Sequence, residues 1–270
     1  MSEWRIESPT SLDLTGVRRL EVRLVEGNVD VVGRTEDAAD GAASLEVTRV
    51  DGPLLVSLDG TGTLSITHEK LTWGGLLQWG GRGRARAIVS VSVPATCPVE
   101  LGVVSADAVV SGIEATKTAV KSVSGDVTLD DVRSDIAAQT VSGDLETRQL
   151  AGDLTFSSVS GDLTVAGGRC SSLRAETVSG DVTLDVDLER SGRLNVSSVS
   201  GDVTVRLPRD TGTEVDVKSM SGTLESAFGG LDQERKPGSC RLRGIVGDGS
   251  GSLAVKTVSG DVTLLRRATP

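Results

Sequence analysis

Apolar and polar residues alternate along most of this chain. Triplets such as Val127-Thr128-Leu129 and Val182-Thr183-Leu184 place apolar side chains at every second position. Because the side chains of a β-strand point alternately to its two faces, the valines and leucines of these triplets are predicted to face a core and the threonines to face solvent. No segment requires a helix. The pattern therefore predicts an all-β protein.

One eight-residue phrase recurs through the second half of the chain. Thr257–Leu264 reads TVSGDVTL, and close copies begin at Ser122, Thr177 and Ser198. The glycines that mark the copies are Gly125, Gly143, Gly161, Gly180, Gly201, Gly222 and Gly260. Their spacings are 18, 18, 19, 21, 21 and 38 residues, and Ala106 takes the place of the glycine in an earlier copy. Self-similarity at a fixed period is the signature of a solenoid.

A second alternating stretch follows about half a period after each phrase, as in Leu194-Asn195-Val196. Two strands and two turns in each repeat predict a β-solenoid, that is, a flattened parallel β-helix of about eight coils of about 18–21 residues. We assign it to residues 104–270. The long last spacing predicts an insertion at about 227–249, either a loop or an extra hairpin.

Each position of the phrase has a predicted structural role. The first valine, as in Val159 or Val178, is expected to fill the core beside the turn, and the glycine is expected to supply a positive φ. The aspartates are expected to stack along one edge: Asp126, Asp144, Asp162, Asp181, Asp202 and Asp261, with Thr223 interrupting the column. A row of calcium sites is the functional alternative. Calcium-binding β-roll repeats, however, place a residue between glycine and aspartate, so we expect turn capping and no metal site.

Residues 1–103 lack the phrase but are also rich in alternating runs. We predict an N-terminal β-rich capping region here, because the open end of a solenoid exposes unpaired backbone. Two alternating runs around Glu26-Gly27-Asn28 predict a hairpin.

The segment Leu71–Ala87 interrupts this region and is the candidate contact site. It contains Trp73, Trp79, Arg82, Arg84 and Arg86 among paired glycines. Exposed tryptophan beside arginine is typical of a loop that contacts a partner protein or an anionic membrane surface. The alternative is a hairpin whose tryptophans pack on the flank of the solenoid.

Composition narrows the classes of partner and compartment. A net charge of −10 argues against nucleic acid, because binding to phosphates requires a basic face. The first residues lack the layout of a signal peptide, and no apolar run approaches the length of a membrane span. Cys97, Cys170 and Cys240 lie far apart and are odd in number, which supports neither a disulfide framework nor a zinc site. We therefore expect a cytoplasmic protein.

The repeated phrases resemble the bacterial "putative adhesin" family of β-strand-repeat proteins, a domain of unknown function. The matching elements are the VSGDVTL copies, the VSVPA segment at Val91–Ala95 and the closing KTVSGDVTLL. The resemblance implies a β-solenoid and a link to adhesion or to the cell envelope.

Nothing in the sequence assembles a catalytic constellation. His68 is the only histidine and is expected at the surface near a strand end, and aromatic residues make up only 2% of the chain, too few to line a typical sugar-binding groove. We expect no catalytic residues and no cofactor. The leading hypothesis is a non-enzymatic scaffold that binds protein, in an adhesin-like or envelope-stress context. The alternatives are a structural solenoid that self-associates end to end and a β-helix enzyme that processes polysaccharides.

Overall fold

The computed structural model describes residues 2–35, 40–68 and 85–267. Regular structure in these ranges is β-strand, with no α-helix, so the all-β prediction is confirmed and the strands form solenoid-like parallel ladders. None of the described residues belongs to a helix long and apolar enough to cross a membrane. Contacts divide the chain into two compact units, residues 1–135 (unit 1) and 136–270 (unit 2).

Unit 1 combines parallel coils with antiparallel strands. Its described strands are β1 (Ser2–Ile6), β2 (Thr10–Leu14), β3 (Arg19–Arg34), β4 (Ala43–Asp51), β5 (Leu54–Leu58), β6 (Thr63–His68), β7 (Arg86–Pro94), β8 (Val99–Ser111), β9 (Lys117–Ser122) and β10 (Val127–Asp130). β3 pairs in parallel with β8, which pairs in parallel with β9 and β10. On the other side of β3, β6 and β7 pair with it in parallel and continue into antiparallel strands β5–β1 and β4–β2.

The hairpin predicted around Glu26-Gly27-Asn28 is wrong. These residues lie inside the single strand β3, where Gly27 pairs with both Ala87 and Ala106. The glycine marks a corner: residues 19–23 pair with β6, whereas residues 26–34 pair with β7. Gly27 is thus aligned with the glycine of the repeated phrase, and β3 carries the coil pattern into the predicted capping region.

Unit 2 is built from two parallel ladders. Its strands are β11 (Asp135–Thr140), β12 (Leu145–Ala151), β13 (Leu154–Ser157), β14 (Leu163–Glu176), β15 (Val182–Ser197), β16 (Val203–Leu207), β17 (Thr213–Ser219), β18 (Leu224–Ser226), β19 (Leu231–Lys236), β20 (Ser239–Val246), β21 (Gly251–Thr257) and β22 (Val262–Arg266). The phrase ladder contains the strands that follow each phrase: β12, the starts of β14 and β15, β16, β22 and β18. The return ladder contains β11, β13, the ends of β14 and β15, β21 and β17, and β20 and β19 extend it with antiparallel pairing.

The triplets face as predicted. Val182, Leu184, Val203 and Val205 are at most 1% exposed, and the intervening Thr183 points outward. They pair in register with their counterparts in neighbouring coils, so valine and leucine side chains stack between the two ladders as the core.

The coils of unit 2 do not stack in sequence order at the C-terminal end. The last strands of the chain, β21 and β22, lie between coils that precede them in sequence: β21 between β15 and β17, and β22 between β16 and β18. The predicted insertion is a hairpin, formed by β19 and β20, which adds two antiparallel strands beyond β17. The edge strand β19 is almost entirely exposed and carries four charged residues among its six.

The position of β21 and β22 between earlier coils predicts that the last coil is as important for stability as a central coil. Replacing Leu253 in β21 with alanine should lower the free energy of unfolding by about 2–5 kcal/mol, as much as Leu194→Ala in β15, because both side chains are buried between two neighbouring coils. Chemical denaturation measures both values. Leu231→Ala on the edge strand is the matched control and should cost much less; a cost for Leu253→Ala near that of Leu231→Ala would contradict the threading.

Candidate interaction surface

The repeated phrase forms the corner at which each coil passes from the return ladder to the phrase ladder. Its first residue, serine or threonine, is buried in every copy: Ser122, Thr140, Ser158, Thr177, Ser198, Ser219 and Thr257. In five copies of unit 2 the hydroxyl oxygen accepts a hydrogen bond from the glycine N–H three residues later, for example 2.7 Å between Ser158 Oγ and Gly161 N. The hydroxyl therefore satisfies a backbone donor inside the corner.

The second residue of the phrase points to solvent, and the prediction that it fills the core is wrong in unit 2. The exposed fractions are 47% for Val141, 51% for Val159, 48% for Val178, 45% for Val199, 43% for Val258 and 52% for Met220. The physical reason is alternation: because the preceding hydroxyl residue points inward, the next side chain points outward. We call these six residues the valine column.

Hydrogen bonds from the third residue establish the order of the valine column. Each serine donates its backbone N–H to the valine carbonyl oxygen of the neighbouring coil, at 2.8–3.0 Å. The bonds run from Ser160 to Val141, Ser179 to Val159, Ser200 to Val178, Ser259 to Val199 and Ser221 to Val258. The spatial order is therefore Val141, Val159, Val178, Val199, Val258 and Met220, with one apolar side chain per coil.

The glycine is required by close approach and not by its φ. A Cβ atom on Gly180 would lie 2.1 Å from the carbonyl oxygen of Gly161, and one on Gly201 would lie 1.9 Å from that of Gly180. Five glycines of the phrase in unit 2 show this close approach and do not adopt a positive φ: Gly161, Gly180, Gly201, Gly222 and Gly260. The expectation of a positive φ is wrong there; Gly27 of β3, at φ +123°, does adopt one.

The aspartates cap backbone donors, as predicted, but the donors belong to neighbouring coils. The backbone N–H of Asp162 donates to Asp144 Oδ1 at 2.8 Å, and the same bond joins Asp181 to Asp162 and Asp202 to Asp181. In unit 2 we call Asp144, Asp162, Asp181, Asp202 and Asp261 the aspartate column. Among the described residues, no group of three or more histidine, cysteine, aspartate or glutamate side chains is arranged to hold a metal ion.

Thr223 ends the aspartate column and does not interrupt it. Its backbone N–H donates to Asp261 Oδ1 at 2.7 Å, and the N–H of Asp261 donates to Asp202 Oδ1 at 2.8 Å. The bond from Thr223 holds the pKa of Asp261 below its usual value. Because the coil of Asp261 lies between those of Asp202 and Thr223, the threonine occupies the terminal coil of the phrase ladder.

Most of the predicted contact segment lies outside the described residues. This holds for Trp73, Trp79, Arg82 and Arg84. Arg86 begins β7, where its exposed guanidinium Nη1 lies 3.6 Å from Glu26 Oε1. The role of the segment in contacting a partner or a membrane surface stays a prediction.

His68 is buried, and the prediction of a surface histidine is wrong. It ends β6 with 2% of its surface exposed, and its Nδ1 accepts a hydrogen bond from the backbone N–H of Val25 at 3.2 Å. Its buried Nε2 has no hydrogen-bond partner among the described residues. Burial lowers the pKa of His68 to about 4, so the imidazole is neutral at physiological pH.

The three cysteines, all within the described ranges, are free and buried. Burial raises the pKa of Cys97 to about 11 and that of Cys170 to about 12. Since the thiolate is the reactive form, neither sulfur is prepared for nucleophilic attack near neutral pH.

A group of acidic and basic side chains converges where β15 and β16 pair in the phrase ladder. Arg206 and Arg267 both bind Asp185, and Arg267 Nη1 also lies 2.5 Å from Asp187 Oδ1. Burial disfavours the charged form of Asp185, but the hydrogen bonds from the two arginines outweigh it and hold its pKa below the usual value. A glycosidase needs one carboxyl group that stays protonated near neutral pH, and Asp185 is shifted in the opposite direction.

These features define an all-β repeat protein whose coils are joined through a glycine and aspartate corner. The Toastrack DUF4097 family model matches residues 61–265, about three quarters of the chain, and the chain belongs to that family.

Solved structures give a more distant likeness, and no curated protein matches the chain. A "putative lipid binding protein" from Parabacteroides distasonis is 13% identical, with 97% of each chain covered and a TM-score of 0.49. A "putative adhesin" from the same organism is 11% identical over 96% of this chain and 97% of that one, with a TM-score of 0.48. A third, from Bacteroides fragilis, also called a "putative adhesin", is 11% identical over 96% and 98%, with a TM-score of 0.47. At these values, family membership rests on the family model alone.

The close approach at the corner predicts a large effect of one methyl group. Gly180→Ala should lower the free energy of unfolding by about 2 kcal/mol or more, because the new Cβ would overlap the Gly161 carbonyl and separate two coils. Gly229→Ala is the matched control, since a Cβ there has nothing within 4 Å. Thermal and urea unfolding measure the difference; similar values for both variants would contradict a close-packed corner.

Burial of the only histidine predicts a pH dependence of stability. Between pH 6.5 and pH 4 the unfolded chain binds a proton that folded His68 does not, so the stability present above pH 6.5 is lost as the pH falls toward 4. From pH 7 to pH 5 the free energy of unfolding should fall by about 2 kcal/mol. Urea denaturation at both pH values measures this change. A His68→Gln variant should show little change over the same range, and an undiminished change in the variant would contradict the assignment.

Proposed function

We propose that this chain is a non-enzymatic protein that binds a partner protein along the valine column of unit 2. The observation that supports the proposal is the outward orientation of the same apolar position in six stacked coils, each between 43% and 52% exposed. Scattered apolar residues are normal on a protein surface, but a contiguous row marks an interaction site. Membership of the family alone assigns no activity.

The proposal includes the finer architecture: a flattened parallel β-helix of about eight coils over residues 104–270, with residues 1–103 as its N-terminal cap. It also includes a cytoplasmic location, which three free cysteines support because a reducing compartment keeps thiols unpaired.

End-to-end self-association is less well supported. The edge strand β19 carries Asp232, Glu234, Arg235 and Lys236, all of them exposed. Charged side chains on an edge strand oppose pairing with another strand.

The absence of catalysis is proposed on the chemistry of the groups described above. Cys97 and Cys170 are held as thiols, and Asp185 is held as a carboxylate by two arginines. These states fit structural roles better than a nucleophile or a general acid.

Site-specific photo-crosslinking in the native cell tests the binding surface. A photo-reactive residue at position 178 or 199 should form a crosslink to a protein partner, because both positions lie in the centre of the valine column. The control is position 183, which also points outward but lies on the phrase ladder. Crosslinked products identified by mass spectrometry should be absent from the control and reduced in a Val159→Thr variant. Equal products at position 183, or none at 178 and 199, would contradict the proposal.

A further inference from the structure

The valine column is the one position of the five-residue corner, from the hydroxyl residue to the aspartate, that the fold of unit 2 does not use. The hydroxyl residue binds the glycine N–H, the serine binds the neighbouring valine carbonyl, and the aspartate binds the N–H of the next coil. The glycine allows the close approach, and the later apolar residues are buried. Among the five corner residues, from the hydroxyl residue to the aspartate, only the first valine directs its side chain to solvent without a contact that the corner requires.

The two flanks of the valine column differ in charge. The aspartate column runs parallel to it, three positions later in each corner, and its carboxylates are exposed. On the other side lie the outward-facing residues two positions earlier: Gln139, Ser157, Glu176, Ser197, Lys256 and Lys218. The surface is therefore an apolar row with an acidic border along five of its six coils.

We infer that the valine column binds an amphipathic α-helix whose apolar ridge is flanked by lysine or arginine. The inference rests on the proposed function and adds the chemistry of the partner. The apolar ridge would pack on the valines, and the basic flank would lie against the aspartate column.

The spacing of the column favours a helix laid along it. Neighbouring coils are about 4.8 Å apart, close to the rise of about 5.4 Å per turn of an α-helix, whereas side chains on one face of an extended strand recur at about 6.6 Å. Six residues span about 24 Å, the length of about 16 helical residues. Successive turns of a helix can therefore contact successive valines.

Charge disfavours a second copy of the chain as the occupant. A copy that packs its valine column on this one presents to the aspartates either its own aspartate column or the opposite flank. That flank contains only two lysines, Lys218 and Lys256, among its six residues. Most carboxylates would face no cation in either arrangement, whereas a basic helix pairs with each of them.

Two synthetic peptides test the inference on the full-length chain. The first is an 18-residue helix with a leucine ridge flanked by lysines; the second has the same ridge flanked by glutamates. Fluorescence anisotropy should show at least tenfold tighter binding of the lysine peptide, with affinity that falls as salt is added.

Three variants separate the contributions of the valine column and of the aspartate column to peptide binding. Val159→Thr, Val178→Thr and Val199→Thr, combined, should weaken binding of the lysine peptide at least tenfold. The matched control replaces three exposed apolar residues outside the column, Val109→Thr, Ile245→Thr and Leu265→Thr, and should bind like the unaltered chain. The third variant combines Asp162→Asn, Asp181→Asn and Asp202→Asn; it keeps the Oδ1 acceptors, and should weaken binding and reduce its salt dependence. Circular dichroism and the melting temperature establish that each variant is folded.

The outcomes distinguish this inference from the proposed function. Equal binding of both peptides, or equal losses in the column variant and its control, would overturn the inference. So would a concentration-dependent dimer, seen by sedimentation and removed by the column variant, because the occupant would then be a second copy. If the crosslinks at positions 178 and 199 are found but neither peptide binds, the proposed function stands and the basic helix is wrong.

Discussion

Each coil of unit 2 turns its corner around a glycine that lies against a backbone carbonyl oxygen of the neighbouring coil. At Gly180 and Gly201 this approach leaves no space for a Cβ atom. A corner this tight bends the backbone out of the regular ladder, so its N–H groups need acceptors from elsewhere. The phrase supplies them from side chains: the buried Ser or Thr hydroxyl accepts from the glycine N–H, and an aspartate of the neighbouring coil accepts from the aspartate N–H. The repetition of the phrase follows from this requirement, since every coil must meet it at the same place.

The same requirement explains where the phrase changes. An aspartate is needed only where another coil follows whose N–H it must accept. Thr223 lies in the terminal coil of the phrase ladder, where its own N–H is satisfied by Asp261. The replacement of aspartate by Thr223 therefore marks the last coil of the phrase ladder, although the chain continues for more than forty residues. Those residues first form the hairpin beyond β17 and then return to fill the place between two earlier coils.

The sequence predicted the strands and their buried triplets from periodicity, and failed at the corners and where distant coils meet. Alternation correctly placed Val182 and Leu184 in the core, and the period correctly indicated stacked strands. The orientation of Val178 was missed because an apolar residue was expected to be buried, although the inward threonine before it decides the face. A signal was available: the two residues are adjacent, so both cannot point inward in extended backbone.

Other errors came from long-range contacts that no local pattern contains. Gly27 was interpreted as the turn of a hairpin because glycine between alternating runs is a turn signal, whereas the partners of β3 are distant strands. The burial of His68 depends on the packing of β6 beside Val25, more than forty residues away. The stacking order of the last coils also cannot be predicted from the sequence, because copies of one phrase are compatible with more than one order.

The geometry of the corner does not force the second residue of the phrase to face solvent. In unit 1 the equivalent residue of β3, Val25, is 5% exposed, and the following equivalents, Val104 and Val123, are half-buried. At Val25 a neighbour from unit 1 lies directly beside the position, since the backbone N–H of Val25 donates to His68. In unit 2 no described residue covers it to the same degree. The same corner therefore accepts a packed neighbour in one unit and presents six apolar side chains without one in the other. Because the corner makes no contact that requires an apolar side chain at this position, its repetition supports the proposal that these side chains pack against another molecule.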